Sequence, residues 1–339
     1  MRAAYYDRRG PAADVLTIGE VPEPTPGPGE VRLRLAVSGI NPGDVKKRSG
    51  WQHSPMPFPS VIPHSDGAGM IDAVGDGVDP TRVGQPAWCY GAQSYRPFGT
   101  AAEYSVVPER LAVPLPADAD AAVLEQAACL GIAGITAYRA VFADGPVDGL
   151  HVLIYGAARG VGNIAAQMAI RDGAHVIAVV RDEQQGHDLE AIGIDHTFLA
   201  ETPDLTSQIR GVAPEGVHRI ADVDFGNHIE LNAQIVANGA TISAYYSSDP
   251  QPAIPYWTLG FADTTLRLLG SDDFSPEVKA DAARTLTEAL AQGALHVPIS
   301  NRFALEDVAL AHELVERGGV PGRVVLTIDE RWATDQGLL

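Results

Sequence analysis

HVLIYGAARGVGNIAAQMAIRDGAHVIAVVR, residues 151–181, is the stretch that decides the fold. A short apolar run at 151–155 leads into a glycine-rich turn at 156–162, and the helical segment 163–172 follows. A second apolar run occupies 175–180. Strand, glycine turn, helix and strand in this order are the setting that a phosphate-binding turn requires. The stretch therefore predicts a βαβ unit with a candidate phosphate site.

The chemistry of that site depends on the turn. A helix N-terminus offers unpaired backbone N–H groups and a partial positive charge, so a pyrophosphate can bind where the backbone comes close. Gly160 and Gly162 have no side chains to obstruct this approach. Ala157 and Arg159 stand where the pattern G-x-G-x-x-G has its first two glycines, so the strict pattern is not met. A glycine turn that binds no nucleotide remains an alternative.

Composition limits the classes of protein that remain. The chain has 339 residues, 45% of them hydrophobic, which predicts two domains with a large core. Its net charge of −19 argues against a nucleic-acid partner or an anionic membrane surface, since both would repel it. The first ten residues are polar and charged, and no apolar stretch approaches the roughly twenty residues of a bilayer span. We therefore expect neither a targeting segment nor membrane insertion.

Two cysteines, Cys89 and Cys129, lie forty residues apart without a C-x-x-C motif. This spacing provides neither a disulfide framework nor a thiolate zinc knuckle. The cysteine content predicts a cytoplasmic protein.

Hydrophobic patterns suggest two kinds of domain. Val31, Leu33, Leu35 and Val37 alternate with polar or small residues, as in a half-buried strand, and the chain to about residue 120 predicts a mostly β unit with little helix. From about residue 121 strands alternate with helices, as in a full dinucleotide-binding fold. The C-terminal part predicts two helices and a final strand. The candidate parallel strands are 151–155, 175–180, 195–199, 218–222, 240–245 and 265–269.

Several stretches together resemble the medium-chain dehydrogenases/reductases, specifically the zinc-free quinone oxidoreductase branch that includes zeta-crystallin. They are NPGDVKKRSG at 41–50, VIPHSDGAGMIDAVG at 61–75, GITAYRA at 134–140, GAARGVG at 156–162 and the ending AHELVERGGVPGRVVL. The resemblance covers essentially the whole chain.

This resemblance implies an α/β fold with two domains. A GroES-like, mostly β catalytic domain would comprise residues 1–121 and 271–339. A Rossmann domain with a doubly wound parallel sheet would comprise residues 122–270 and bind NADP. The active site would lie in the cleft, and the family is usually dimeric or tetrameric through its nucleotide domains.

Comparison with the zinc enzymes of the superfamily predicts that no metal is bound. The three ligand positions of those enzymes hold Asn41, Ser65 and Ile132, none of which is a good zinc ligand. His53 and His64 flank the substrate segment, but no third ligand stands at a suitable spacing. Without a Lewis acid, hydride addition is easiest to an acceptor that is already electrophilic. Quinones and α,β-unsaturated carbonyls are such acceptors.

The resemblance places Asn41 and Asp44 beside the nicotinamide, where they would orient the acceptor's oxygen and order water. Lys46 is a candidate to stabilise the developing negative charge. For Asp44, a structural hydrogen bond within a turn is an equal alternative. Asp66 is interpreted as structural, and Ser65 either as an active-site neighbour or as a turn former.

The implied cofactor-binding residues are those of the turn together with Thr136, Arg181 and Arg323. Val180 occupies the position where NAD enzymes carry an acidic residue, and the following Arg181 suits a 2′-phosphate, so NADPH is favoured over NADH. Asp182 keeps NADH open. Arg159 either reaches a phosphate or points to solvent. The turn residues are Gly156, Ala157, Ala158, Arg159, Gly160, Val161 and Gly162; Thr136 corresponds to a threonine near the nicotinamide, with helix capping as the alternative, and Arg323 to a basic residue near the adenosine end.

Three functions remain as hypotheses. The first is an NADPH-dependent quinone reductase without zinc, and the second is an enone or 2-alkenal double-bond reductase on the same scaffold. The third is a protein that binds NADPH without turnover. The sequence has no tyrosine four residues before a lysine, no G-x-S-x-G elbow and no G-K-[ST] phosphate loop, so short-chain reductases, hydrolases and kinases fit poorly.

Overall fold

The computed structural model describes residues 1–51, 55–328 and 334 of the chain. Its strands and helices are numbered in chain order. The strands are β1 Arg2–Tyr5, β2 Thr17–Glu20, β3 Glu30–Gly39, β4 Asp66–Val74, β5 Pro86–Cys89, β6 Tyr104–Pro108, β7 Ala112–Pro114, β8 His151–Tyr155, β9 His175–Val180, β10 His196–Leu199, β11 Val217–Asp222, β12 Val236–Ala244, β13 Thr265–Leu268, β14 Ile299–Ala304 and β15 Arg323–Thr327. The helices are α1 Ala12–Val15, α2 Pro42–Ser49, α3 Ala121–Ala127, α4 Ile135–Phe142, α5 Gly160–Arg171, α6 Glu183–Glu190, α7 Leu205–Val212, α8 Phe225–Ile235, α9 Tyr256–Phe261, α10 Pro276–Ala291 and α11 Val308–Arg317.

The chain divides into two compact units. The first comprises Met1–Ala133 with Lys279–Leu339, and the second comprises Gly134–Val278. Both divisions fall later in the chain than the boundaries expected from composition, 121/122 and 270/271. The first division lies after α3 because this helix packs against β3, β4 and β5 of the first unit. Its alanine-rich sequence suggests instead that it belongs with the following helix α4.

The first unit, called here the catalytic unit, is built on a mostly antiparallel sheet. The strand order is β14-β15-β3-β4-β5-β7. β15 pairs with residues 37–39 of β3, and β6 pairs with residues 30–34 of the same strand. Val31 and Leu33 of β3 are fully buried between half-buried neighbours, which confirms the predicted half-buried strand for residues 30–34. From Leu35 to Gly39 every residue is buried, so the expected alternation does not continue to Val37. The inward face joins the apolar cluster that forms the core of this unit.

The second unit, called here the nucleotide unit, contains a six-stranded parallel sheet. Its order is β10-β9-β8-β11-β12-β13, the third, second, first, fourth, fifth and sixth strands of the unit. This order confirms the predicted doubly wound fold. Helices cover parallel strands on both faces, so such strands are continuous apolar runs, and Val152, Leu153 and Ile154 of β8 are all fully buried.

Two helices differ from the sequence prediction. α5 begins at Gly160, three residues before the predicted start, so Gly160 and Gly162 lie inside its first turn. α2 occupies part of the region predicted to have little helix. Its ends carry local signals, since Pro42 stands at the first helical position and Gly50 ends the helix with φ of 88°.

Within the part of the chain that the structure describes, no single helix is long and apolar enough to cross a membrane. One bent pair, Ala121–Ala127 with Leu130–Phe142, passes on length and composition when its members are counted together.

Candidate functional site

The glycine turn of the nucleotide unit closes tightly onto the start of α5. Gly156 has φ of 70°, which favours glycine, and its carbonyl accepts a hydrogen bond from the Arg159 amide at 3.0 Å. The Asn163 amide donates to the Arg159 carbonyl at 3.0 Å. The amides of residues 160–162 precede that bond, in the first helical turn, where N–H groups have no partner within the helix. These are the groups that a phosphate binds.

Gly162 is required by the packing of the fold itself, and its expected role toward a phosphate remains a prediction. The sequence suggests that this glycine leaves room for a pyrophosphate. In the structure, a Cβ added at position 162 would lie 2.3 Å from the Gly156 carbonyl oxygen and 2.9 Å from the Ala157 nitrogen. Gly162 therefore allows the helix to pack directly against the end of β8. Of the other turn residues, Ala157 is buried and Ala158 and Val161 are half-buried.

A buried polar network that the sequence analysis missed lies directly beneath the turn. The Asp222 carboxylate, at the end of β11, accepts from Asn232 Nδ2 at 2.7 Å and contacts His228 Nδ1 at 2.7 Å. Tyr155 donates its hydroxyl hydrogen to Asn232 Oδ1 at 2.8 Å and stacks on the His228 ring at 3.9 Å. Burial, and then the Asp222 charge, raise the pKa of Tyr155. The network holds the ends of two neighbouring strands.

A signal for this network exists in the sequence. Asp222 ends an apolar strand whose carboxyl end lies beside that of β8, and ligands of doubly wound sheets bind at those ends. An acidic residue at that position indicates a polar network or a site.

Arg159 and Arg181 lie at the same edge of the sheet. Tyr155 of β8 pairs with Val179 of β9, and the two arginines follow these strand residues by four and two positions. Arg159 is half-buried, and Arg181 is exposed. Burial, followed by the charge of Arg181, lowers the pKa of Arg159, and the smaller attraction to Asp182 opposes this shift. Among the described residues neither guanidinium group has a hydrogen bond or an ion pair.

Asp182, the acidic residue that left NADH as an alternative cofactor, has a structural role. It is the N-cap of α6, where its Oδ1 accepts from the Gln185 amide and its Oδ2 from Gln185 Nε2, both at 2.9 Å. Both carboxylate oxygens are therefore engaged beside Arg181.

Thr136 lies in the first turn of α4 and is buried. The N-cap of that helix is Gly134, and no side chain makes the capping bond. Capping, the alternative interpretation of this threonine, is therefore not its role. Its proximity to a nicotinamide remains a prediction.

In the catalytic unit, Asn41 and Asp44 form the start of α2. Asn41 is the N-cap, and its backbone amide donates to Asp44 Oδ2 at 2.8 Å. Asn41 is 1% exposed and Asp44 is 3% exposed. The hydrogen bond within a turn, weighed as the alternative for Asp44, is present. The side chains have almost no surface with which to touch a ligand, so the expected direct contact with an acceptor remains a prediction.

The Asn41 amide is also held at both ends. Its Nδ2 donates to Asp66 Oδ2 at 2.7 Å, and its Oδ1 accepts from Arg323 Nη2 at 2.5 Å. The Ile132 amide donates to the same Asp66 oxygen at 2.8 Å. Arginine has no acceptor, so these partners fix which way the amide points. Arg323 contacts Asn41, which the resemblance places beside the nicotinamide. If Asn41 lies there, Arg323 cannot lie near the adenosine, because the two groups are at opposite ends of an extended dinucleotide.

Asp66 is a strongly perturbed carboxyl group of this cluster. It is fully buried, and its Oδ1 has no hydrogen-bond partner among the described residues. Burial, and then the charge of Asp44, raise the pKa of Asp66 to about 7. Asp66 thus supports Asn41 from within the fold, in agreement with its structural interpretation.

Lys46 is the predicted catalytic residue with the most accessible side chain. It is half-buried, and its Nζ lies 5.2 Å from the centre of the Trp51 ring. Burial lowers the pKa of its ammonium group.

Ser65, at one of the zinc-ligand positions, and the neighbouring His64 lie in environments unlike a metal site. Ser65 is fully buried, and its hydroxyl has no partner among the described residues. His64 Nε2 contacts His312 Nε2 at 2.8 Å, and its Nδ1 contacts Ser38 Oγ at 2.8 Å, so both ring nitrogens are engaged. His53 lies outside the described residues. Within those residues no group of three or more His, Cys, Asp or Glu side chains is arranged to hold a metal ion.

Comparison with known proteins supports the resemblance. The alcohol dehydrogenase GroES-like domain model matches residues 27–117, and the zinc-binding dehydrogenase model matches residues 192–326. The chain is 26% identical to the quinone oxidoreductase of Mus musculus over 335 residues, which cover 97% of this chain and 98% of the relative.

Two solved structures show how far the similarity extends. An NAD-dependent alcohol dehydrogenase is 28% identical with a TM-score of 0.86, and a mycobacterial protein complexed with NADPH is 25% identical with a TM-score of 0.83. Each match covers 97% of this chain and all of the other. The chain therefore belongs to the medium-chain dehydrogenase/reductase superfamily, and its similarity to quinone oxidoreductases extends over nearly its whole length.

Proposed function

We propose that the protein is an NADPH-dependent oxidoreductase that transfers hydride to a quinone. The observation that carries this proposal is the glycine turn, which presents the amides of residues 160–162 beside the guanidinium groups of Arg159 and Arg181. When bound, the reduced nicotinamide supplies the hydride. The NADPH complex of a relative and the quinone oxidoreductase relative support the proposal.

The residues of the turn fit a dinucleotide phosphate. The amides at the start of α5 and the positive end of its dipole favour an anion. A 2′-phosphate would meet the guanidinium groups of Arg159 and Arg181, whereas the Asp182 carboxylate serves as the N-cap of α6 and accepts from Gln185. This arrangement favours NADPH over NADH.

In the catalytic unit, we assign the direct role to Lys46. Its ammonium group is partly exposed and would stabilise the negative charge that develops on the acceptor oxygen. Asn41 and Asp44 form the first turn of the helix that carries Lys46, so they fix its position. The Asn41 amide keeps one N–H beyond its bond to Asp66, and that N–H is the only donor this side chain has left for an acceptor or an ordered water.

The ligand positions of the zinc enzymes hold Asn41, Ser65 and Ile132 here. We propose that the reaction proceeds without zinc, and metal analysis of the purified protein tests this. A stoichiometric zinc content would contradict it.

A panel of quinones and α,β-unsaturated carbonyls, assayed under identical conditions by the loss of NADPH absorbance, tests the proposed reaction. Turnover of quinones above enones supports the proposal. The reverse preference indicates the alternative, an enone or 2-alkenal reductase. Tight NADPH binding with no oxidation by any acceptor indicates a non-catalytic NADPH-binding protein.

A Lys46→Met variant tests the catalytic assignment, because methionine keeps the apolar stem and removes the charge. We expect kcat to fall by about 10-fold or more, with little change in NADPH binding. The matched control is Lys47→Met, on the same helix. An unchanged kcat in Lys46→Met would contradict the role of this ammonium group.

We also propose that the protein is a cytoplasmic homodimer formed through the nucleotide unit. β13 is an edge strand of the described sheet, and Leu268 on it is 75% exposed. Nearby in sequence, Trp257 and Phe261 of α9 stack at 5.8 Å with both rings exposed. An exposed edge strand with apolar side chains is a surface for pairing with a second copy.

The proposed cytoplasmic location is supported by the cysteines. Cys89 and Cys129 are both free and buried, which suits a reducing compartment.

Light scattering coupled to size-exclusion chromatography tests the dimer. We expect a dimer for the wild type and a monomer for Leu268→Lys with Phe261→Lys. A wild-type monomer at all concentrations would exclude this assembly.

A further inference from the structure

We propose that Arg159 binds the 2′-phosphate of NADPH together with Arg181, so that two arginines set the cofactor preference. This inference rests on the proposed function and assigns a second specificity-determining residue to it. Arg159 stands within the glycine turn itself, directly before Gly160.

Arg159 and Arg181 follow neighbouring strands of the sheet. β8 and β9 are neighbouring parallel strands, which lie about 4.8 Å apart, and they end at the same edge. Arg159 follows β8 through the turn, and Arg181 follows β9 directly. Two long side chains from adjacent strand ends can therefore reach one ligand group between them.

Arginine at position 159 is unfavourable for the fold. It is the N-cap of α5, and no side chain caps that helix. Serine, threonine, aspartate and asparagine are preferred there because they accept a hydrogen bond from the first amides, which arginine cannot do. A positive charge also opposes the positive end of the helix dipole. A residue that costs helix stability on both counts indicates a binding role.

The positive charges of Arg159 and Arg181 are poorly compensated within the chain. The chain has 43 acidic and 24 basic residues, yet neither of these arginines forms a contact ion pair with a carboxylate among the described residues. Each guanidinium group lies in the field of the other, and burial adds to this cost at Arg159. The nearby Asp182 carboxylate, which accepts from Gln185, attracts Arg159, but this attraction is smaller than the opposing effects of burial and of Arg181. A phosphate dianion between the arginines would remove their repulsion and accept charge-assisted bonds from both.

Fluorescence titration with NADPH and with NADH tests the inference on the wild type, Arg159→Ser, Arg181→Ser and the double variant. Arg171→Ser, at the opposite end of α5, removes the same charge and is the control. We expect each single variant to weaken NADPH binding by about 10-fold or more, since a hydrogen bond to a charged group contributes about that much. Binding of NADH and the control should stay within about twofold of wild type. The double variant should bind both cofactors alike.

Thermal unfolding of the unliganded protein provides a second measurement. Serine is a good N-cap, so Arg159→Ser should unfold at the same or a higher temperature than wild type while it binds NADPH more weakly. A purely structural arginine would not produce this opposite pair of effects.

The outcomes separate this inference from the proposed function. A wild type that binds neither cofactor overturns the proposed function. If the wild type binds NADPH and Arg159→Ser binds it equally well, the inference is wrong and the function stands. Equal weakening of NADPH and NADH in Arg159→Ser would place this arginine on the pyrophosphate and also overturn the inference.

Discussion

Replacing Gly162 with alanine is expected to weaken NADPH binding and to destabilise the nucleotide unit. The added Cβ would lie 2.3 Å from the Gly156 carbonyl oxygen, and real Cβ atoms essentially never come within 3.0 Å of such an atom. The start of α5 and the end of β8 must therefore separate by at least 0.7 Å, the difference between these two distances. Backbone on both sides leaves no flexible side chain to absorb the shift.

The magnitude results from two opposing effects. Overpacking of this kind costs about 1–3 kcal/mol, and replacing a helical glycine with alanine returns up to about 1 kcal/mol. A net loss of about 1–2 kcal/mol should lower Tm by roughly 2–4 °C per kcal/mol. The same shift displaces the amides of residues 160–162, and a displacement of about 1 Å in a binding site can cost up to about 100-fold. We expect NADPH binding at least about 10-fold weaker.

The assays are thermal unfolding by circular dichroism and fluorescence titration with NADPH. Gly211→Ala is the matched control, because Gly211 also lies in a helix of this unit but a Cβ there would meet nothing within 4 Å. The control should be neutral or stabilising by up to about 1 kcal/mol and should bind NADPH normally. Wild-type Tm and affinity in Gly162→Ala would refute the close packing of this glycine. A stable variant with weak binding would restore the explanation that position 162 clears space for the phosphate.

Three further outcomes concern the catalytic unit. Burial raises the pKa of Asp66 to about 7 from 3.8, so between these pH values the folded chain keeps a proton that the unfolded chain loses. The urea midpoint of unfolding should therefore fall as pH rises through this range, and Asp66→Asn should flatten that slope. Burial, and then Arg48, lower the pKa of His312 to about 3 from 6.5, so stability should fall as pH drops below 6.5; an equal acid slope in His312→Gln would contradict this. Burial raises the pKa of Cys89 to about 12 and also raises that of Cys129, so neither thiol should react with a thiol reagent before the protein unfolds, and prompt labelling of the native protein would count against this.

Much of the fold is predictable from local patterns. The inner strands of the nucleotide unit appear as apolar runs because helices bury both faces of a parallel sheet, and the glycine turn marks the first of them. The alternation at 31–37 predicts β3 for the equivalent reason in a sheet with one face more exposed. The hydrophobic pattern misses α2 although its signals are local, since Asn41, Pro42 and Asp44 form a helix start within four residues. That helix is short, so its caps and not its periodicity reveal it.

The candidate site divides in the same way. The turn and Arg181 are predictable because a phosphate-binding turn is a contiguous feature with a fixed position after a strand. The arrangement around Asn41 is not, because Asp66 lies 25 residues away and Arg323 lies 282 residues away in the chain. Only the folded sheet brings β4 and β15 beside β3, and only then does a guanidinium group meet one end of an amide while a buried carboxyl group meets the other. Local sequence specifies which elements form, because backbone sterics and burial act over a few residues; contacts between distant side chains depend on how the strands pair.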